Sequence, residues 1–130
     1  MFRPKRSLTA DRPVPRRGEI WWVDFDPARG SEQAGQRPAL VIQNDAGNLS
    51  ALYPNTVILA MSTKGKAIPF HVRIDPVPST GLRETTWVKC EQILTISKAR
   101  LVGRGPMGRI GLVEMRKVEV ALLLSLGIGI

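Results

Sequence analysis

The residues best suited to chemistry fall in one segment, DFDPARGSEQAGQRPALVIQND, from Asp24 to Asp45. It crowds Arg29, Glu32, Gln33, Gln36 and Arg37 into a glycine-bounded loop between two apolar runs. Loops are polar simply because they lie in water, but Arg37 has a more specific setting. It stands directly before Pro38, and a residue before proline is biased toward extended backbone. Its guanidinium therefore sits at the mouth of a buried strand, held by rigid structure. A fixed planar fork of donors is well matched to a phosphate oxygen.

The other candidates are weaker. Asp24 and Asp26 flank Phe25 and point to one face, a spacing a metal can use, yet in WVDFDP they read better as strand-end and turn residues. His71 is the only histidine and would be the default general base of an enzyme site. In FHVRID it falls on the strand face opposite Phe70 and Val72, where a lone histidine is more often incidental. With one histidine and one cysteine, Cys90, the chain offers neither a clustered metal-ligand set nor a disulfide framework. No cofactor and no metal are expected, and a reducing cytoplasm is the natural setting.

The elements that position these residues can be read from patterning. Glu19 to Asp26, Pro38 to Gln43, Thr56 to Ser62, Phe70 to Asp75 and Thr85 to Ile93 read as five strands, rich in β-branched and aromatic residues and bounded by turn signals. In the last of them Thr86, Val88 and Cys90 face one way and Trp87, Lys89 and Glu91 the other. The same alternation sends Trp21 and Trp22 to opposite faces, one to the core and one to an interface or ligand. NDAGNLSALYP reads as a loop, TISKARLV as one helical turn begun by Ser97, and GRGPMGRI as a glycine-rich turn leading into a short edge strand. Leu112 to Leu126 reads as a helix, with Met115, Val118, Leu122 and Leu126 at near-helical spacing and Gly127 at its end. Five or six short strands and one terminal helix predict a mainly β, α+β domain built on a strongly curved sheet or half-open barrel.

At 130 residues the chain fits one domain. Its formal charge of +8 is unevenly spread: residues 1–17 carry six basic groups against Asp11, a net +5, which leaves +3 for the rest. That proline-containing stretch reads as a flexible basic arm, not as a secretory signal, and residues 18–130 as the folded domain. The closing ALLLSLGIGI is about half the length a membrane-spanning helix needs, so no membrane association is expected.

WVDFDPARGSEQAGQRPALVI closely resembles the N-terminal motif of the MazF/PemK toxins of bacterial toxin-antitoxin modules. The likeness continues through TVILAMSTKGKAIPFHVRI, the Gly81–Leu82 pair, VKCEQILTISKARL and the final helix, and so covers Arg17 to about Leu126. The resemblance implies an SH3-like barrel of the CcdB/MazF type and a homodimer restrained by a cognate antitoxin. It also implies a metal-independent, sequence-specific endoribonuclease that cuts single-stranded RNA, chiefly mRNA, and inhibits translation. Cleavage in this family is attack of the ribose 2'-hydroxyl on the adjacent phosphorus, leaving 2',3'-cyclic phosphate and 5'-hydroxyl ends.

Carried over by position, the catalytic arginine falls on Arg37 and the catalytic threonine on Thr63, beside the competing hydroxyl of Ser62; the glutamate of GSEQ falls on Glu32. Arginine stays protonated and a threonine hydroxyl is a poor base, which leaves Glu32 as the candidate base. Arg29, Gln33, Gln36, Ser62, Lys64, Lys66 and Trp22 are then expected to bind RNA, the cations by gripping phosphates and Trp22 by stacking on a base. Two alternatives remain: a CcdB-like gyrase poison on the same barrel, and a non-catalytic RNA-binding barrel.

Overall fold

The computed structural model of the chain describes residues 13–25 and 35–129. Residues 1–12 of the expected arm, and the loop positions Asp26, Arg29, Glu32 and Gln33, lie outside the described residues. Seven strands form one antiparallel sheet. Strand β1 (Glu19–Asp24) pairs with β2 (Gln36–Val41), setting Trp22 opposite Pro38 and Val23 opposite Arg37. Strand β3 (Asn55–Ser62) lies on the other side of β2, with Ala39 opposite Ala60. The twelve-residue β5 (Thr86–Ser97) separates β3 from the outer strand β4 (His71–Ile74). Strands β6 (Leu101–Val102) and β7 (Gly108–Arg109) both pair with β1.

Each expected strand is present, with shifted ends. β2 starts at Gln36 because β1 supplies partners that far out. Pro38 is tolerated there because the recorded pairing of β2 with its second neighbour begins only at Ala39. β5 runs on to Ser97, past the expected end at Ile93, because β3 pairs with it along nearly its whole length. A one-turn 3-10 helix, Lys98–Arg100, then begins where expected, with the Ser97 hydroxyl accepting from the Ala99 amide at 3.1 Å.

The sheet is apolar on both faces. Ile20, Leu40, Leu59, Met61, Val88 and Cys90 form a core beneath the C-terminal helix, while Trp21, Val23, Ala39, Val41, Ile58 and Ile96 form a second cluster. Trp21 is 1% exposed and Trp22 42% exposed, as alternation along β1 requires. The C-terminal helix spans Leu112–Leu126 as expected and buries Met115, Val118 and Ala121. Leu126, expected on the buried stripe, is 51% exposed.

One α-helix was not legible. NDAGNLSALYP contains helix α1 (Asp45–Leu49), so the C-terminal helix is α2. A five-residue helix has no periodicity to read and little stability of its own. Here the Asn44 side chain caps it by accepting from the Gly47 amide, and buried Lys98 donates to the carbonyls of Gly47 and Ser50 at 2.9 and 3.0 Å. The Asn48 amide oxygen accepts from Thr56 Oγ1 and Gln43 Nε2. Asp45 accepts from the Arg17 amide at 2.8 Å and from Asn48 Nδ2 at 3.1 Å. Those two bonds, the first the stronger, lower its carboxyl pKa from the ordinary 3.8. Arg17 also donates from Nε to Ile42 and pairs with Glu119, joining the start of β1 to α1 and α2.

Candidate active site

A cleft of about 770 Å³ opens where β1, β2 and β3 end on one side of the sheet. Trp22 comes from β1, Arg37 and Pro38 from β2, Ser62 from the end of β3, and Thr63 from the residue that follows. Extending the register of β2 with β3 outward sets Arg37 level with Ser62 and Gln36 level with Thr63. Two positions 25 and more residues apart in sequence are thus brought to one spot by strand pairing alone.

The two hydroxyls differ in their surroundings. Ser62 Oγ accepts from the Lys64 amide at 3.0 Å, which turns the chain out of β3 and occupies one of its acceptor sites, while its own hydrogen stays available and Ser62 too lines the cleft. Thr63 is exposed and lines the cleft. Arg37 is exposed as well, so its charge is presented to solvent at the cleft wall. Arg100 donates from Nη1 to the Asp24 carbonyl at 2.9 Å, fixing the end of β1 from behind.

The opposite wall was not foreseen from the sequence. It is formed by Leu82, Arg83 and Glu84, with Thr86 at the start of β5 and Met107 behind them. Gly81 lets the two segments of this wall close: its φ is 72°, and a Cβ there would overlap the Met107 carbonyl. Thr86 is buried, with its hydroxyl donating to the Glu84 carbonyl at 2.9 Å. The Gly81–Leu82 pair was the one sequence signal pointing to this wall. Lys64 and Lys66 stand on the loop leaving Thr63 but are not among the residues lining the cleft. Gln36 is exposed at the start of β2 and is likewise outside the lining set.

Comparison with known proteins places these features in a lineage. Residues 16–126 match the sequence profile described as PemK-like, MazF-like toxin of type II toxin-antitoxin system. The chain belongs to that family. Among its relatives, endoribonuclease MazF9 of Mycobacterium tuberculosis is 42% identical over 115 residues, covering 85% of this chain and 95% of MazF9. Endoribonuclease EndoA of Bacillus subtilis is 37% identical over 118 residues, covering 88% of this chain and 97% of EndoA. A mycobacterial endoribonuclease solved in complex with its cognate antitoxin superposes with a TM-score of 0.72 at 25% identity, covering 89% of this chain and 98% of that one. MazF from Deinococcus radiodurans gives the same TM-score and identity over 88% of this chain and 98% of its own. The fold is therefore the mainly β, helix-capped SH3-like barrel of the MazF toxins.

Chemically, the cleft of this MazF-like toxin offers a cation, a hydroxyl donor and an aromatic face within one concavity. Cys90 is no nucleophile for it: burial, with a smaller contribution from the Glu91 charge, pushes its thiol up to about 12. Among the described residues, no three His, Cys, Asp or Glu side chains converge as a metal site would require. Among the described residues, no helix is long and apolar enough to cross a membrane.

Proposed function

We propose how the cleft of this endoribonuclease toxin cuts its substrate: a single-stranded RNA lies across it, with the scissile phosphate between Arg37 and Thr63. The supporting observation is that Arg37, on β2, and Thr63, the residue after β3, line the same cleft. The ribose 2'-oxygen attacks phosphorus, the bond from phosphorus to the 5'-oxygen breaks, and the ends left are a 2',3'-cyclic phosphate and a 5'-hydroxyl. Catalysis then requires in-line positioning and stabilisation of charge on the phosphoryl oxygens. Arg37 supplies that charge and Thr63 Oγ1 a hydrogen bond to the same oxygens. Glu32, in the segment before β2, takes the 2'-hydroxyl proton, and the leaving 5'-oxygen takes its proton from water. Trp22 stacks on a base beside the cleft, and Arg29, Gln33, Gln36, Lys64 and Lys66 hold the strand on either side.

The proposal extends to partners. The toxin works in the cytoplasm as a homodimer on mRNA and is silenced by a cognate antitoxin whose acidic segment competes for the cationic loops. Residues 1–17 act as a basic arm that gathers RNA toward the domain 18–130. The complex of a structural relative with its cognate antitoxin supports the partner reading.

The test is incubation of the purified chain with a long single-stranded RNA in EDTA, with ends mapped by primer extension. Discrete cuts with 5'-hydroxyl ends are expected. Arg37→Ala is expected to lower the cleavage rate about 10²–10³-fold, the usual cost of removing one transition-state donor. Undiminished cutting by that variant would sink the mechanism. No cutting by the wild-type chain would turn attention to gyrase.

A further inference from the structure

His71 lies outside the cleft and was expected to be an incidental residue on an exposed strand face. Its side chain is instead only 6% exposed and bonded through both ring nitrogens. Nδ1 accepts the Lys66 amide at 3.0 Å and Nε2 meets Glu91 Oε2 at 3.2 Å. An imidazole nitrogen that accepts an amide hydrogen carries no proton, so the hydrogen sits on Nε2 and is donated to Glu91.

The topology gives this bond its significance. Sheet order places β5 between β3 and β4, so the loop from Thr63 to Phe70 must cross over β5 to join them. It is fastened along its whole length. The Lys64 amide donates to Ser62 Oγ, the Lys66 amide to His71, the Ile68 amide to the Lys66 carbonyl and the His71 amide to the Ile68 carbonyl. Gly65 rests so closely on the Trp87 ring of β5 that a Cβ would overlap it. Fastening eight residues this tightly is more than chain reversal needs, and the loop begins at Thr63.

We propose that His71 is a positioning residue for RNA cleavage. Through the Lys66 amide it clamps the crossing loop onto Trp87 and so fixes Thr63 in the cleft; the inference rests on the proposed role of Thr63. His71 touches neither substrate nor reacting atoms. It acts through the backbone of Lys66, with Glu91 selecting the tautomer that leaves Nδ1 free to accept.

Three substitutions separate this role from simple packing. Asparagine carries its amide oxygen where imidazole carries Nδ1, whereas glutamine reaches the Nε2 position and leaves the Lys66 amide without its acceptor. His71→Gln is therefore expected to lower the cleavage step at saturating RNA about tenfold, in line with the sensitivity of catalysis to small misplacements. His71→Asn should restore most of that rate. Gly65→Ala, which lifts the same loop from its other fastening, should match His71→Gln. A second readout needs no turnover: hydrogen exchange at the Lys66 amide should quicken in His71→Gln and stay slow in wild type and His71→Asn. Wild-type rates in His71→Gln, or equal losses in the Asn and Gln variants, would overturn the proposal. If the wild-type chain cut no RNA, the cleavage reading would fail, while the exchange result would still decide whether His71 holds the loop.

Discussion

Two polar clusters occupy different parts of this small domain, and they are built on opposite terms. Around α1, Asn48, Thr56 and Lys98 are buried and hydrogen-bond one another or the backbone, so their polarity is consumed inside the fold. At the cleft, Arg37, Thr63 and Trp22 are exposed and share a concavity. Threonine occurs in both, so residue type alone does not separate them. What separates them is burial: a buried polar group must find its hydrogen-bond partners within the fold, whereas the exposed side chains of the cleft are accessible to a ligand. The first cluster holds the frame, and the second is available for work on a ligand.

The largest expected effect that sharpens this contrast lies within the cleft. Thr63→Ala should slow RNA cleavage about 10²-fold, comparable to loss of an oxyanion donor, whereas Ser62→Ala should slow it only several-fold by loosening the turn at Lys64. Equal losses in single-turnover assays would erase the distinction drawn between the two hydroxyls. Next comes the buried cluster. Lys98→Met removes a charged donor from two carbonyls, and urea unfolding should show a loss of about 2–4 kcal/mol, with cleavage by the folded fraction unchanged. A large loss of rate at full stability would mean that the α1 corner is coupled to the cleft.

Smaller effects follow from the titrating groups. With its thiol pushed up to about 12 and its side chain buried, Cys90 should resist an aromatic disulfide reagent at pH 8 in the native protein and react fully in denaturant. Asp45 has the smallest expected effect because it is only partly buried, which leaves its charge screened by water. Its folded pKa lies below its unfolded value, so its contribution to stability is present above the ordinary 3.8 and lost as pH falls through the lowered value. Thermal unfolding between pH 6 and 3 should therefore fall more steeply for wild type than for Asp45→Asn. Parallel curves would show that the Arg17 amide does not hold the carboxylate in solution.

The unequal legibility of these regions has a physical origin. β4, β5 and α2 announce themselves by a periodic apolar face, β1 and β3 by apolar runs rich in aromatic or β-branched residues, as strands covered on both faces must, and the split of Trp21 from Trp22 follows from a period of two. The meeting of Arg37 with Thr63 was anticipated through the likeness of whole motifs to MazF toxins, since register between β2 and β3 is a long-range property that no local pattern encodes. The wall at Leu82 to Glu84 escaped because it depends on a close backbone approach at Gly81, and α1 escaped because its support comes from Lys98, some fifty residues away. His71 was misjudged for a related reason. Alternation correctly put it on the face opposite Val72, but could not show that the chain folds back to cover that face with the Lys66 amide.

The neighbouring tryptophans of β1 also provide an optical instrument. Trp21, 1% exposed, with its indole hydrogen donated to Glu19 Oε1 at 3.0 Å, sits in a medium that does not change until the domain opens. Trp22, 42% exposed at the cleft, emits from water and is open to collisional quenching by iodide. A single-strand oligonucleotide in the cleft would shield the second indole while leaving the first unaltered. With the third tryptophan, half-buried Trp87, replaced by phenylalanine, the two adjacent residues separate occupancy from unfolding within one emission spectrum, without any label.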